Sequence, residues 1–162
     1  MSYPPPKYDG DTGLVSARLR PAGAAPEVRY KNGGTAEYLA TDESTGGLFG
    51  LFRWNMSAVP SGPDPHFHRT ISEAFFVISG SIRLFDGTTW LDTKPGDFLY
   101  VPEGGIHGFR NESGQDASML ILFAPGAPRE DYFETLARVS EGLTMADDER
   151  AAFMLRHDTF WV

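Results

Sequence analysis

Four residues in this chain carry side chains that could hold a metal ion: His66, His68, Glu73 and His107. Three neutral imidazoles and one carboxylate can close around one divalent cation, and the spacing of the first two is what an extended strand requires. Side chains alternate faces along a strand, so His66 and His68 share a face while Phe67 takes the other. Glu73 has the opposite parity to His66. A straight strand would turn it away from the pair, so the chain must reverse within Arg69-Thr70-Ile71-Ser72 and return it at the start of the apolar run Ala74-Phe75-Phe76-Val77-Ile78. His107 follows the turn-forming stretch Pro102-Glu103-Gly104-Gly105 and is expected on a third strand.

The elements around these residues read as β-structure. Turn dipeptides recur through the middle of the chain: Asn32-Gly33, Asp86-Gly87 and Pro95-Gly96. Such regular punctuation of short apolar runs suits an all-β sandwich or barrel. Asp86-Gly87, between Ser81–Phe85 and Thr88–Leu91, is a hairpin signal. Leu48 to Met56 and Ser118 to Phe123 are expected to flank the site as strands, with Phe52, Trp54 and Met56 facing inward. Residues 1–26, rich in Pro, Gly and Ala, read as an extended N-terminal arm that either packs on the surface or crosses to a second subunit. Residues 27–126 form the β-domain. Residues 127–162 form a C-terminal helical extension, with one helix over Arg129 to Val139 and a second capped by Thr144 and running to about Leu155. His157 is read as a surface residue or a helix C-cap.

Composition excludes several functions. The net charge is −8, from 22 acidic and 14 basic residues, and no basic stripe is present, so nucleic acid is not an expected partner. With no cysteine, disulfides and thiolate ligands are ruled out, and any metal must be held by nitrogen and oxygen. No signal-peptide pattern or membrane-spanning run is found, so a cytoplasmic protein with no membrane association is expected.

Read as patterns, His66-x-His68-x4-Glu73-x6-Gly80 and Gly96-x5-Pro102-x-Gly104-x2-His107-x3-Asn111 resemble the two signature motifs of the cupin superfamily. The resemblance covers about residues 60–111. Where the first motif usually opens on glycine this chain has Pro60, with Gly62 nearby, so the turn is displaced. It implies a small antiparallel jelly-roll β-barrel, to which the one or two C-terminal helices read above are appended, with a metal inside and a substrate pocket above it. It also implies that His66, His68, Glu73 and His107 are the ligands. Gly80, Gly96 and Gly104 read as turn positions with positive φ, and Asn111 as closing a turn.

The nitrogen and oxygen donors admit Fe, Mn, Ni, Co, Cu or Zn and do not choose among them. Glu73 is the expected catalytic residue, binding through one oxygen and taking a proton on the other. Phe52, Trp54, Phe75, Val77 and Phe109 either line an apolar substrate pocket or fill the barrel core. A pocket of that kind favours a planar, oxygen-bearing, mostly apolar substrate over a small dianion, which would need an inward cation. In these respects the chain is similar to the single-domain quercetin-dioxygenase-like cupins. That similarity implies a metal-dependent dioxygenase acting on an aromatic or enolic small molecule, in a homodimer. Two other readings stay open: a non-redox zinc-dependent isomerase or polyketide-cyclase-like enzyme, and a metal-containing small-molecule-binding protein without turnover.

Overall fold

The computed structural model describes residues 3–162. After an exposed arm without helix or strand, the chain builds two facing β-layers. The larger layer is a six-stranded antiparallel sheet of β1 (Val28–Arg29), β2 (Thr35–Ala40), β3 (Gly50–Met56), β10 (Ala117–Ala124), β5 (Ser72–Ser79) and β8 (Phe98–Val101), in that spatial order. Its centre is β10, paired along its length with β3 on one side and β5 on the other. Residues of β10 alternate between buried and half-buried, as expected of a strand with one face on a core. A short helix α1 (Asp42–Thr45), capped by Thr41, joins β2 to β3 and was not expected from the sequence.

The opposing layer contains β7 (Trp90–Asp92), β6 (Arg83–Phe85) and β9 (Gly108–Arg110), and separately the pair β4 (His66–Phe67) and β11 (Phe160–Trp161). Two reciprocal backbone hydrogen bonds stitch these sets together: His66 N–H to His107 O at 2.9 Å and His107 N–H to His66 O at 2.8 Å. The expected antiparallel β-fold is present, with its strands hydrogen-bonded as separate sheets that the His66–His107 pair joins. Phe52, Phe75, Phe123, Met119, Ile121, Ile82 and Leu84 fill the space between them and are fully buried.

Turn chemistry fixes the strand ends. Gly62 has φ +143°, and a Cβ there would lie 1.9 Å from the carbonyl oxygen of Phe109, so the displaced glycine is required by close backbone approach. Gly80, Gly96 and Gly104 all take positive φ, as expected. Asn111 is wholly buried and closes a turn: its Nδ2 donates to Ser57 O (2.8 Å) and Gln115 O (2.7 Å), and its Oδ1 accepts from Ser113.

Two helices close the chain, α2 (Glu130–Ser140) and α3 (Asp147–Arg156). The second does not start at Thr144: the Glu149 carboxylate reaches back to accept the Ala146 N–H at 3.0 Å, which fixes the first turn two residues later. His157 is the C-cap of α3, and it is buried against Phe153 rather than on the surface. Among the described residues no helix is long and apolar enough to cross a membrane.

Candidate metal centre

β4 delivers His66, the residue just past its end is His68, β5 delivers Glu73 as its second residue, and the backbone pairing with His66 holds His107 just ahead of β9. One ligand atom from each of the four residues falls within 4.8 Å of the others, and all four residues are buried. The reversal after His68 is held from outside. Gly104 N–H donates to His68 O at 2.7 Å, so the Pro102–Gly105 turn is tied to the strand whose histidines it must face.

Each imidazole is oriented by a backbone carbonyl. Nδ1 of His66 meets Asp64 O at 2.9 Å, Nδ1 of His107 meets Gly105 O at 2.9 Å, and Nδ1 of His68 meets Asp158 O. A carbonyl oxygen can only accept, so Nδ1 donates in all three rings and Nε2 is the nitrogen turned toward the site. Two of these Nε2 atoms converge on one carboxylate oxygen: Glu73 Oε2 lies 3.1 Å from His68 and 2.8 Å from His107. Three Nε2 atoms and a carboxylate oxygen are a chemically suitable donor set for a divalent transition metal.

The charges are arranged accordingly. Burial, reinforced by His107, pushes His66 down to about 4, which keeps it neutral. Burial would raise the Glu73 carboxyl, but contact with His107 and His68 outweighs it and holds the group well below its ordinary value. Burial likewise opposes charge on His107, and Glu73 reverses the effect, so that ring is raised. The nitrogen facing Glu73 is thus the atom a metal would take, with release of its proton.

Above the donors lies a cavity of about 310 Å³. Trp54, Met56, Phe109, Ile121 and Phe123 line it from the sheets, with His66 and Glu73 at its floor. Its roof comes from the C-terminal extension: Arg129, Tyr132, Phe133, Leu136, Met154 and Trp161. Of the expected pocket residues, Trp54 and Phe109 reach this cavity. Phe52, Phe75 and Val77 do not; each is fully buried in the core beneath it.

Three residues of the site were not singled out from the sequence. Asp158 has φ +50° and serves twice: its carbonyl orients His68, and its Oδ2 accepts from Arg69 N–H (2.9 Å), Thr70 N–H (2.8 Å) and Thr70 Oγ1 (2.7 Å). Trp161, on β11 beside β4, places its ring 5.3 Å from that of His66. Arg129, just before α2, is 4% exposed and supplies the inward cation that the sequence reading did not find.

Residues 54–123, which contain all four donors, match the family model for the cupin domain. A segment of 77 residues, 48% of this chain, is 31% identical to quercetin 2,3-dioxygenase of Bacillus subtilis, of which it spans 22%. A structure from Thermotoga maritima, described as a predicted oxalate decarboxylase, superimposes with a TM-score of 0.58 over 67% of this chain and 99% of that one, at 19% identity, and shows the shared fold. The polyketide cyclase RemF from Streptomyces resistomycificus superimposes with a TM-score of 0.56 over 69% of this chain and 81% of that one, at 25% identity.

Proposed function

We propose that this chain, whose residues 54–123 match the cupin domain, is a metal-dependent oxidoreductase, a dioxygenase acting on an aromatic or enolic small molecule. The observation that carries the reading is the convergence of three Nε2 atoms and the Glu73 carboxylate at the floor of an aromatic-lined cavity. The partial identity to quercetin 2,3-dioxygenase supports the choice of reaction.

A divalent metal at this centre would acidify a substrate hydroxyl and, where the ion is redox-capable, let an electron-rich enol react with dioxygen. The protein supplies the remainder. The backbone carbonyls of Asp64, Gly105 and Asp158 hold the imidazoles in one tautomer. Both histidine contacts of Glu73 use Oε2, so we assign Oε1 to accept the proton of the substrate hydroxyl. Trp54 and Phe109 present ring surfaces suited to a planar substrate, and the helical roof limits access of water.

A second reading is supported by the likeness to the polyketide cyclase RemF: non-redox cyclisation or isomerisation at the same centre with zinc. Oxygen-uptake assays on iron-, manganese-, nickel-, copper- and zinc-loaded protein with flavonols and other enols separate the two. Oxygen consumption with a redox-capable ion supports the dioxygenase. Turnover in the absence of oxygen supports the second reading, and stoichiometric metal with no turnover of any enol leaves a binding protein.

We extend the proposal to a homodimer. The outer face of β5 and the edge strand β8 exposes Phe76, Phe98 and Tyr100 at 42%, 63% and 57%, an apolar surface on which a second copy would pack. Sedimentation velocity reporting only the monomer mass would remove this extension.

A further inference from the structure

Arg129 is out of place by ordinary rules. It occupies the N-cap of α2, where the helix dipole disfavours a cation, and it is buried at 4% exposure. Among the described residues no carboxylate comes within 4.0 Å of its guanidinium, whereas Arg20, Arg53, Arg83, Arg110, Arg138 and Arg156 all have one. The carboxylates that act on it, Glu73 and Asp158, do so from beyond ion-pair distance, and a buried charge with no counter-charge in contact is costly and calls for a partner.

What holds it is neutral. Nη1 donates to His157 O at 2.8 Å, at the carbonyl end of α3, and the guanidinium lies 4.1 Å from the Tyr132 ring centroid and 4.9 Å from that of Phe123. Nε is buried with no hydrogen-bond partner. These contacts fix the plane of the group and use one corner of it, leaving the Nε edge, which is the edge that can grip a carboxylate side-on. The same side chain lines the cavity whose floor is His66 and Glu73.

We propose that Arg129 is the anion-binding residue of the cavity and that the substrate is an aromatic or enolic compound bearing a carboxylate, which pairs with the Nε edge of the guanidinium. The assignment rests on reading this cavity as the substrate site, and it narrows the substrate class from neutral enols to anionic ones. Formal charges agree with it: a divalent metal, the Glu73 carboxylate and the Arg129 and Arg150 cations sum to three positive charges around the cavity, which an anionic ligand offsets in part.

Benzoate and its neutral isostere benzamide are the probes, titrated by calorimetry into metal-free and zinc-loaded protein whose metal content is measured separately. Wild type should prefer benzoate by about tenfold or more, as expected for a charge-assisted hydrogen bond, and Arg129→Gln should abolish the preference while Arg129→Lys keeps part of it. The Arg129 Nε–H resonance, followed by proton–nitrogen correlation spectroscopy of wild type, should shift with benzoate and not with benzamide. A purely structural arginine would not show that difference, and the measurement needs no variant to fold. Equal affinity for the two probes, a preference that survives in Arg129→Gln, or an Nε–H signal unmoved by benzoate would overturn the proposal. Because metal content is read independently, a protein that binds benzoate through Arg129 yet takes up no metal would sink the metal-dependent reading and leave this one standing.

Discussion

At the floor of the cavity each imidazole is oriented by a backbone carbonyl, and the Glu73 carboxylate is shared by two ring nitrogens. At the roof, Arg129 is as deeply buried but has no carboxylate beside it and an Nε without a partner. The floor is an arrangement of lone pairs held ready for a cation. The roof holds a cation in place between aromatic rings. The difference suggests how one small cavity can handle a substrate that needs both: an oxygen donor toward the metal and an anionic group toward Arg129. It also separates the consequences of mutation, since changes at the floor should act on metal affinity and changes at the roof on ligand preference.

The largest effect is expected from His107→Ala, which removes one of four donors while its neighbours remain anchored through β4 and β5. Metal affinity should fall by more than about a hundredfold, with a far-ultraviolet spectrum close to wild type. Unchanged affinity would dissolve the distinction between floor and roof. Glu73→Gln comes next: turnover should drop by about a hundredfold or more, with a smaller loss of metal occupancy, if Oε1 takes the substrate proton. Parallel losses would reduce Glu73 to a ligand.

Asp158→Ala tests whether the C-terminal segment belongs to the floor although it is remote in sequence. It removes the carboxylate held by Arg69 and Thr70 and places alanine at φ +50°, so His68 loses its fixed orientation. Metal affinity should fall by roughly 10–100-fold, and Asp158→Asn should lose less, because asparagine tolerates that backbone conformation. The smallest effect on metal is expected from Arg129→Gln. Dissociation measured with a chromophoric chelator should shift by no more than about threefold, toward tighter binding if at all, since a nearby cation is removed. A large loss of metal affinity in this variant would show that roof and floor act as one unit.

The four donors were legible in the sequence because strand alternation and turn residues are local properties. His66 and His68 share parity, and the reversal before Glu73 had to exist. The depth of a residue along a strand was not legible. Phe75 and Val77 share the face of Glu73, which leaves pocket and core both open to them, yet at about 3.3 Å per residue Val77 lies roughly 13 Å further along β5, and both are fully buried in the core. Asp158 and Trp161 were missed for another reason: their contacts with His68 and His66 span about ninety residues of chain, and no periodicity encodes such a pairing. Arg129 did leave a signal. A basic residue directly ahead of Glu130 and Asp131 runs against the helix dipole that favours those two acids, and that conflict marks a position kept for something other than helix stability.

The central claim is that His66, His68, Glu73 and His107 bind one divalent metal. Elemental analysis of the purified protein, as isolated and after chelation followed by add-back of single metals, tests it most directly. The expected result is close to one equivalent of metal per chain for wild type. Failure to retain iron, manganese, nickel, cobalt, copper or zinc under any of these conditions would contradict the account.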